Sequence, residues 1–343
     1  MTNRAKVILL GMLVAAAIFW RLVQRSSASE SGKPEILRTV ADIPLPGPAS
    51  RFDYQSLDVS DGRLYIAHMD SDQLVVFDTV KREVVANLDG FHRVHGVIAV
   101  PELGRVYASV TGDHEVAVVD RANLQTIARV GTIKYPDGLA YVPTMKRVFV
   151  SDEHGNLDAV IDTTTNKLIA EIKLGGGAGN TVYDSATDKV LVAVHSKNEL
   201  VSIDPLHNQI KARTPVIFLE DPHGIALDVE NRVAFVAGEG NAKIVAIDLK
   251  TMAVGPPLPT GKDPDVLAFD PGTKRLYAAA ESGQVTVFQE ANRTLEPVGS
   301  IHLPHGHTVS VDPKTHLVYF PLENVEGKPV LRIMEWVGPK KSQ

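Results

Sequence analysis

The chain repeats itself at a nearly fixed interval. An apolar run closed by aspartate returns as LVVFD ending at Asp78, VAVVD at Asp120, DAVID at Asp162, LVSID at Asp204 and IVAID at Asp248. The steps are 42, 42, 42 and 44 residues, and a degenerate copy, VTVFQ, ends at Gln289. A period of that size, built from short β-branched runs, predicts a propeller. Each repeat is one small sheet that cannot bury its faces alone and needs a neighbour on either side.

Seven units align on a first strand: SLDV (Ser56–Val59), GVIAV (Gly96–Val100), GLAYV (Gly138–Val142), NTVYD (Asn180–Asp184), GIALD (Gly224–Asp228), VLAFD (Val266–Asp270) and TVSVD (Thr308–Asp312). A turn follows each, then a second strand such as RLYIA or RVYAS, then the Asp-terminated run, then a more polar fourth strand such as REVVANL or KLIAEIKL. Four short strands per unit, bounded by turn residues, is the pattern of a propeller blade. The seventh unit ends after RIMEWV with three strands, while ILRTVADIPLP (Ile36–Pro46) resembles the fourth strand of the sixth unit, TLEPVGSIHLP. The reading is therefore an all-β, seven-bladed β-propeller with four antiparallel strands per blade, whose ring is closed by an N-terminal strand completing the last blade. Closure removes the free sheet edges that invite aggregation.

The N-terminus is a separate object. Arg4 and Lys6 precede an apolar run of 14 residues from Val7 to Trp20, shorter than the roughly 20 residues a membrane-spanning helix needs. Charged and apolar regions followed by Ser26-Ser27-Ala28 make residues 1–28 a signal peptide or an N-terminal membrane anchor. Residues 29–35 read as a linker, 36–338 as the propeller and 339–343 as a C-terminal tail. Either N-terminal reading puts the propeller in the periplasm or outside the cell, with membrane contact only through an uncleaved N-terminal segment. The chain has no cysteine, which excludes disulfides, thiol catalysis and thiolate metal sites. Its net charge of −6 comes from interspersed charges with no basic stripe, so nucleic acid is excluded as a partner. A small polar molecule or an envelope protein is expected instead.

The LYIA…LVVFD and VYAS…VAVVD units resemble the YVTN-type β-propeller repeat of YncE-like exported bacterial proteins. The name-giving tetrapeptide is not literal, since the matching sites read YIAH, YASV and FVSD. The resemblance implies a seven-bladed propeller outside the cytoplasm, used mainly for binding, and it transfers no catalytic residues. A weaker resemblance to propeller lactonases such as the gluconolactonases implies a divalent metal in a central channel, but no motif here matches those ligands one by one.

First strands of a propeller line its channel, so the residue before each of them belongs to one ring. Here that ring is Tyr54, His95, Asp137, Gly179, His223, Asp265 and His307, at spacings of 41, 42, 42, 44, 42 and 42. The residues after the second strands, including His68 and Asp152, fall on the same face, with Glu153, His195, Glu239, Glu281 and Glu323 beside them. Asp53 and Asn180 join it. The candidate ligand-binding set is thus Asp53, Tyr54, His68, His95, Asp137, Asp152, Asn180, His195, His223, Asp265 and His307. Imidazoles among carboxylates suit a divalent metal or an acid–base pair, with His95, Asp137, His223, Asp265 and His307 as candidate metal ligands. Three readings stand: a binding module using this face, a metal-assisted lactonase or related hydrolase, and a scaffold at the cell envelope working through its outer surface. The recurrent strand-end aspartates are read as turn-forming scaffold.

Overall fold

A computed structural model of the protein describes residues 35–338; the signal or anchor, the linker before residue 35 and the tail lie outside the described residues. Among the described residues no helix is long and apolar enough to cross a membrane. The strands from Leu37 to Trp336 form seven separate antiparallel sheets in chain order. Blade 3 is typical, with strands Pro136–Val142, Arg147–Asp152, Leu157–Asp162 and Lys167–Lys173. Its second and third strands are buried almost throughout and the fourth alternates with solvent, as expected for the inner and outer strands of a stack of sheets.

Apolar clusters bridge neighbouring blades. Tyr65, Leu74 and Val76 of blade 1 meet Val106, Ala108 and Ala117 of blade 2. Phe149 and Val160 of blade 3 meet Val190, Val192 and Val201 of blade 4. No blade owns a core, so stability resides in the interfaces. Truncating a side chain such as Phe149 costs about 3–5 kcal/mol.

The strand-end aspartates fold the turns. Asp78 Oδ1 accepts from the backbone N–H of Val80 and Lys81, at 3.0 and 2.8 Å. Asp120 does the same for Ala122 and Asn123, and Asp162 for Thr164 and Thr165. Each carboxylate caps a turn that would otherwise leave two amides bare, the Asx-turn chemistry that makes Asp the regular letter of the repeat.

The strand Leu37–Pro44 pairs antiparallel with Lys328–Trp336, outside the three strands contributed by the C-terminal segment. Asp42 receives both Nε and Nη2 of Arg332, at 2.8 and 2.6 Å, and Arg38 pairs with Glu335. The first and last strands of the propeller are thus joined by a ladder and two ion pairs.

The first strands depart from expectation at their entry. In blades 2 to 6 they begin two residues earlier than the apolar pattern suggests, at Val94, Pro136, Ala178, Pro222 and Pro264. Register then slips between Val94 and Val97, Pro136 and Leu139, Ala178 and Thr181, Pro222 and Ile225, and Pro264 and Val266. His95, Asp137, Gly179, His223 and Asp265 therefore sit inside bulges rather than on loops ahead of the strands. A bulge re-aims its side chains while the strand stays anchored on both sides, and here it turns one ring of residues toward the axis. The bulges press together: a Cβ on Gly96 would lie 1.9 Å from the carbonyl oxygen of Asp137 in the next blade. A residue with a side chain cannot occupy that position without moving Asp137.

Candidate functional site

Two cavities follow one another along the axis and share Tyr54. The lower, about 350 Å³, is lined by first-strand residues of all seven blades, including Val97, Leu139, Thr181, Ile225, Leu267 and Ser310. The upper, about 170 Å³, forms the mouth, and its character is different. Six carboxylates (Asp53, Asp137, Glu153, Glu239, Asp265, Glu281) share its wall with three imidazoles (His95, His195, His223), two tyrosines (Tyr54, Tyr135) and one guanidinium, Arg51.

Of the residues expected at the site, Asp53, Tyr54, His95, Asp137, His195, His223 and Asp265 line this mouth. His307 lies fully buried behind it, its Nε2 2.9 Å from the carbonyl oxygen of Phe52 and its Nδ1 3.8 Å from Glu281 Oε2. Asn180 lines the lower cavity instead. His68 and Asp152 line neither cavity and are corrections to the expected set. His68 is fully buried, stacked on Phe52 at 4.0 Å, and its Nε2 is met by Ser50 and Ser71 hydroxyls at 3.0 Å each. Burial pushes its imidazolium down to about 4, so it is a neutral packing residue. The carboxylate of Asp152 accepts the backbone N–H groups of Lys134, Tyr135 and Gly155, which fixes the loop that carries Tyr135 into the mouth. Glu323 pairs with His305 at 3.3 Å, away from the mouth lining.

The bonds around the mouth fix its ring orientations. His95 Nδ1 contacts the Arg93 carbonyl oxygen at 2.7 Å, so Nδ1 carries the proton and Nε2 accepts from the Tyr135 hydroxyl at 3.1 Å. His223 stands at the centre: Nε2 is 3.7 Å from Asp137 Oδ2, and Nδ1 is 3.4 Å from Asp265 Oδ1 and 3.5 Å from Glu239 Oε1. The His195 ring meets it edge-on at 4.9 Å. That approach requires Gly179, since a Cβ there would lie 2.7 Å from His195 Nε2. Arg51 donates to Glu281 at 2.6 Å and stands 4.0 Å from Asp265.

Burial and the crowding of like charge govern the electrostatics. Burial, then the neighbouring Asp265 and Asp137, raise the Asp53 carboxyl well above its ordinary value. Burial also raises Asp265, and lifts Glu239 to about 7. Burial alone would depress the His223 imidazolium, but Asp137, Glu239 and Asp265 outweigh it and hold the proton well above the usual range. His195 goes the other way, to about 4, through burial and the adjacent His223. Four buried polar atoms here make no hydrogen bond among the described residues: Tyr54 Oη, His195 Nε2, His223 Nδ1 and His307 Nδ1. Orphaned buried groups are uncommon and costly, and such a group in a native structure calls for a partner.

Two clusters place one ligand atom from each of three residues within 4.8 Å of one another: His223, Glu239 and Asp265, and Asp53, Asp265 and His307. His223, Asp265 and His307 of the expected metal set fall in these clusters, whereas His95 and Asp137 fall in neither. Sequence reasoning missed Arg51 and Tyr135. Both precede the ring by a few residues, on chain that the repeat pattern leaves featureless.

The fold and mouth define the class: a seven-bladed β-propeller with an acidic, imidazole-bearing channel entrance. The structure is similar to a chain of Kuenenia stuttgartiensis hydrazine synthase, with a TM-score of 0.70 over 86% of this chain and 97% of that one, at 16% sequence identity. At that identity the likeness shows the fold alone. No protein-family model matches the chain, and no curated protein matches it.

Proposed function

We propose that this protein is an exported propeller binding module that takes a small, positively charged ligand in the mouth of its channel. The observation that carries the reading is the charge imbalance: six carboxyl groups outnumber one guanidinium and the protonated His223 around a cavity of about 170 Å³. Several of those carboxyls keep protons at a cost that a cation would remove. Anions and nucleic acid are repelled by the same wall. The YVTN kinship rests on the 42-residue phrase, and export to the periplasm or beyond rests on Arg4, Lys6 and the apolar run that follows them.

The experiment is a thermal-shift and calorimetric panel on the full chain with Mn²⁺, Zn²⁺ and spermidine, and with phosphate and citrate as anionic controls. Saturable stabilisation by a cation, lost in Asp265→Asn, supports the reading. Stabilisation by the anions alone overturns it. The second reading, a metal-assisted lactonase or related hydrolase, is favoured by the exposure of His223 and Glu239 to the same cavity. It requires turnover on a lactone panel that His223→Ala abolishes while the melting profile is kept.

A further inference from the structure

We propose that His223 Nδ1, Glu239 and Asp265 form a ligand set for one first-row divalent cation, with Asp137 as the positioning carboxylate behind the imidazole. The assignment rests on the cation-binding reading and narrows it to a metal and to one side of the mouth.

The distances carry the argument. His223 Nδ1 lies 3.4 Å from Asp265 Oδ1 and 3.5 Å from Glu239 Oε1. Those separations are too long for N–H···O hydrogen bonds, which close to about 2.7–3.2 Å, and Nδ1 makes none among the described residues. They match the edge of a coordination polyhedron: ligands about 2.1 Å from a tetrahedral ion stand about 3.4 Å apart. All three ligand atoms lie within 4.8 Å of one another, so one ion reaches them together with small side-chain adjustments.

The orphaned nitrogen is the independent observation. The His223 side chain is only 9% exposed, and its Nδ1 faces two carboxylate oxygens. Nδ1 is held between those oxygens without closing a hydrogen bond to either. A divalent ion bound there takes the place of the ring proton among the three groups, and the proton is released to water. Asp137 Oδ2, 3.7 Å behind the far ring nitrogen, is placed to close on it as the carboxylate that commonly supports a metal-bound histidine.

Charge decides between the two clusters, which share Asp265. Arg51 donates to Glu281 and stands 4.0 Å from Asp265 Oδ2, and its charge acts on Asp53. The Asp53–His307 side therefore has a fixed guanidinium beside it, whereas the positive charge on the His223–Glu239 side is the His223 proton, which a metal ion displaces. One imidazole with two carboxylates suits zinc, manganese or iron(II); calcium and magnesium prefer all-oxygen shells. Three protein ligands leave further positions open toward the cavity, where water or a bound molecule completes the shell.

The test is calorimetric titration of the chelator-treated full chain with Zn²⁺, Mn²⁺ and Mg²⁺, alongside the visible absorption of the Co²⁺ form. One ion per chain is expected, with Mg²⁺ the weakest. His223→Ala and Glu239→Gln each weaken Zn²⁺ by at least about 30-fold, and Asp137→Asn by about 10–100-fold with the cobalt band retained. Glu239 is partly exposed, so its variant keeps the fold if His223→Ala does not. A loss confined to Asp53→Asn or His307→Gln overturns the assignment. Spermidine binding that Asp265→Asn abolishes, with no metal binding, also overturns the metal site but leaves the cation reading standing. Failure of both metal and spermidine overturns the two together.

Discussion

Asp158 offers a sharp test of how the repeat builds its interior. The second position of the third strand holds Leu74, Val116, Leu200, Ile244 and Val285 in other blades, all buried. Blade 3 has Asp158 there, completely buried. Its Oδ2 accepts from Thr181 Oγ1 across 3.5 Å, and its Oδ1 has no hydrogen-bond partner among the described residues. Burial, opposed only by that threonine, pushes its carboxyl up to about 8.

A raised carboxyl in the folded state costs stability as pH rises. Below about pH 4 both folded and unfolded chains hold the proton and there is no penalty. Between about pH 4 and pH 8 the unfolded chain releases it and the folded one does not, so stability falls by about 1.4 kcal/mol per pH unit. At pH 7 the accumulated penalty is about 4 kcal/mol. Asp158→Val removes it, at a cost of about 1 kcal/mol for the threonine hydroxyl left without its acceptor. The variant is therefore expected to be about 3 kcal/mol more stable at pH 7 and to lose that advantage near pH 4. Urea unfolding of both chains at intervals from pH 4.5 to pH 8.5 measures the difference, and other titrating groups cancel in the subtraction. A difference that does not change with pH, or a variant less stable than its parent at pH 8, refutes the reasoning.

Other consequences follow from the bulges, the closure and the mouth. Gly96→Ala places a methyl group 1.9 Å from the Asp137 carbonyl oxygen and is expected to cost more than about 2 kcal/mol in a chemical melt, while Gly104→Ala meets open space and bears only the strain of its left-handed φ of +63°, about 1 kcal/mol. Removing residues 37–44 strips the ladder to Lys328–Trp336; the melting temperature should drop sharply, and a truncation that melts like the parent would contradict the closure. Tyr54→Phe deletes a buried hydroxyl that has no partner, so calorimetry should show stability unchanged or higher by about 1 kcal/mol. Arg51→Met removes the guanidinium of the mouth, and divalent-cation affinity by titration should rise on the order of 10-fold.

The repeat made the frame legible and left the chemistry half-written. Asp78, Asp120 and Asp162 were readable as scaffold because one turn demands one short acceptor, copy after copy. The ring from Tyr54 to His307 was readable as a position because first strands face the axis. Its exact placement was not, because a bulge is a register shift between two strands and leaves no periodic mark in one of them. His68 and Asp152 occupied plausible places in the pattern, yet the stacking of Phe52 and the bare amides of Lys134 and Tyr135 claimed them. Arg51 and Tyr135 stood outside the pattern and reach the mouth through non-repeating loops. A buried ring of unlike residues is decided by pairings across blades, which a single copy of the repeat does not encode.

The cation site proposed at the mouth of this channel is open to direct observation. Anomalous diffraction from crystals of the full chain soaked in Mn²⁺ addresses it directly. A peak is expected within coordination distance of His223 Nδ1 and the carboxylates of Glu239 and Asp265. A channel mouth without a peak, with manganese only on the outer surface of the blades, would contradict it.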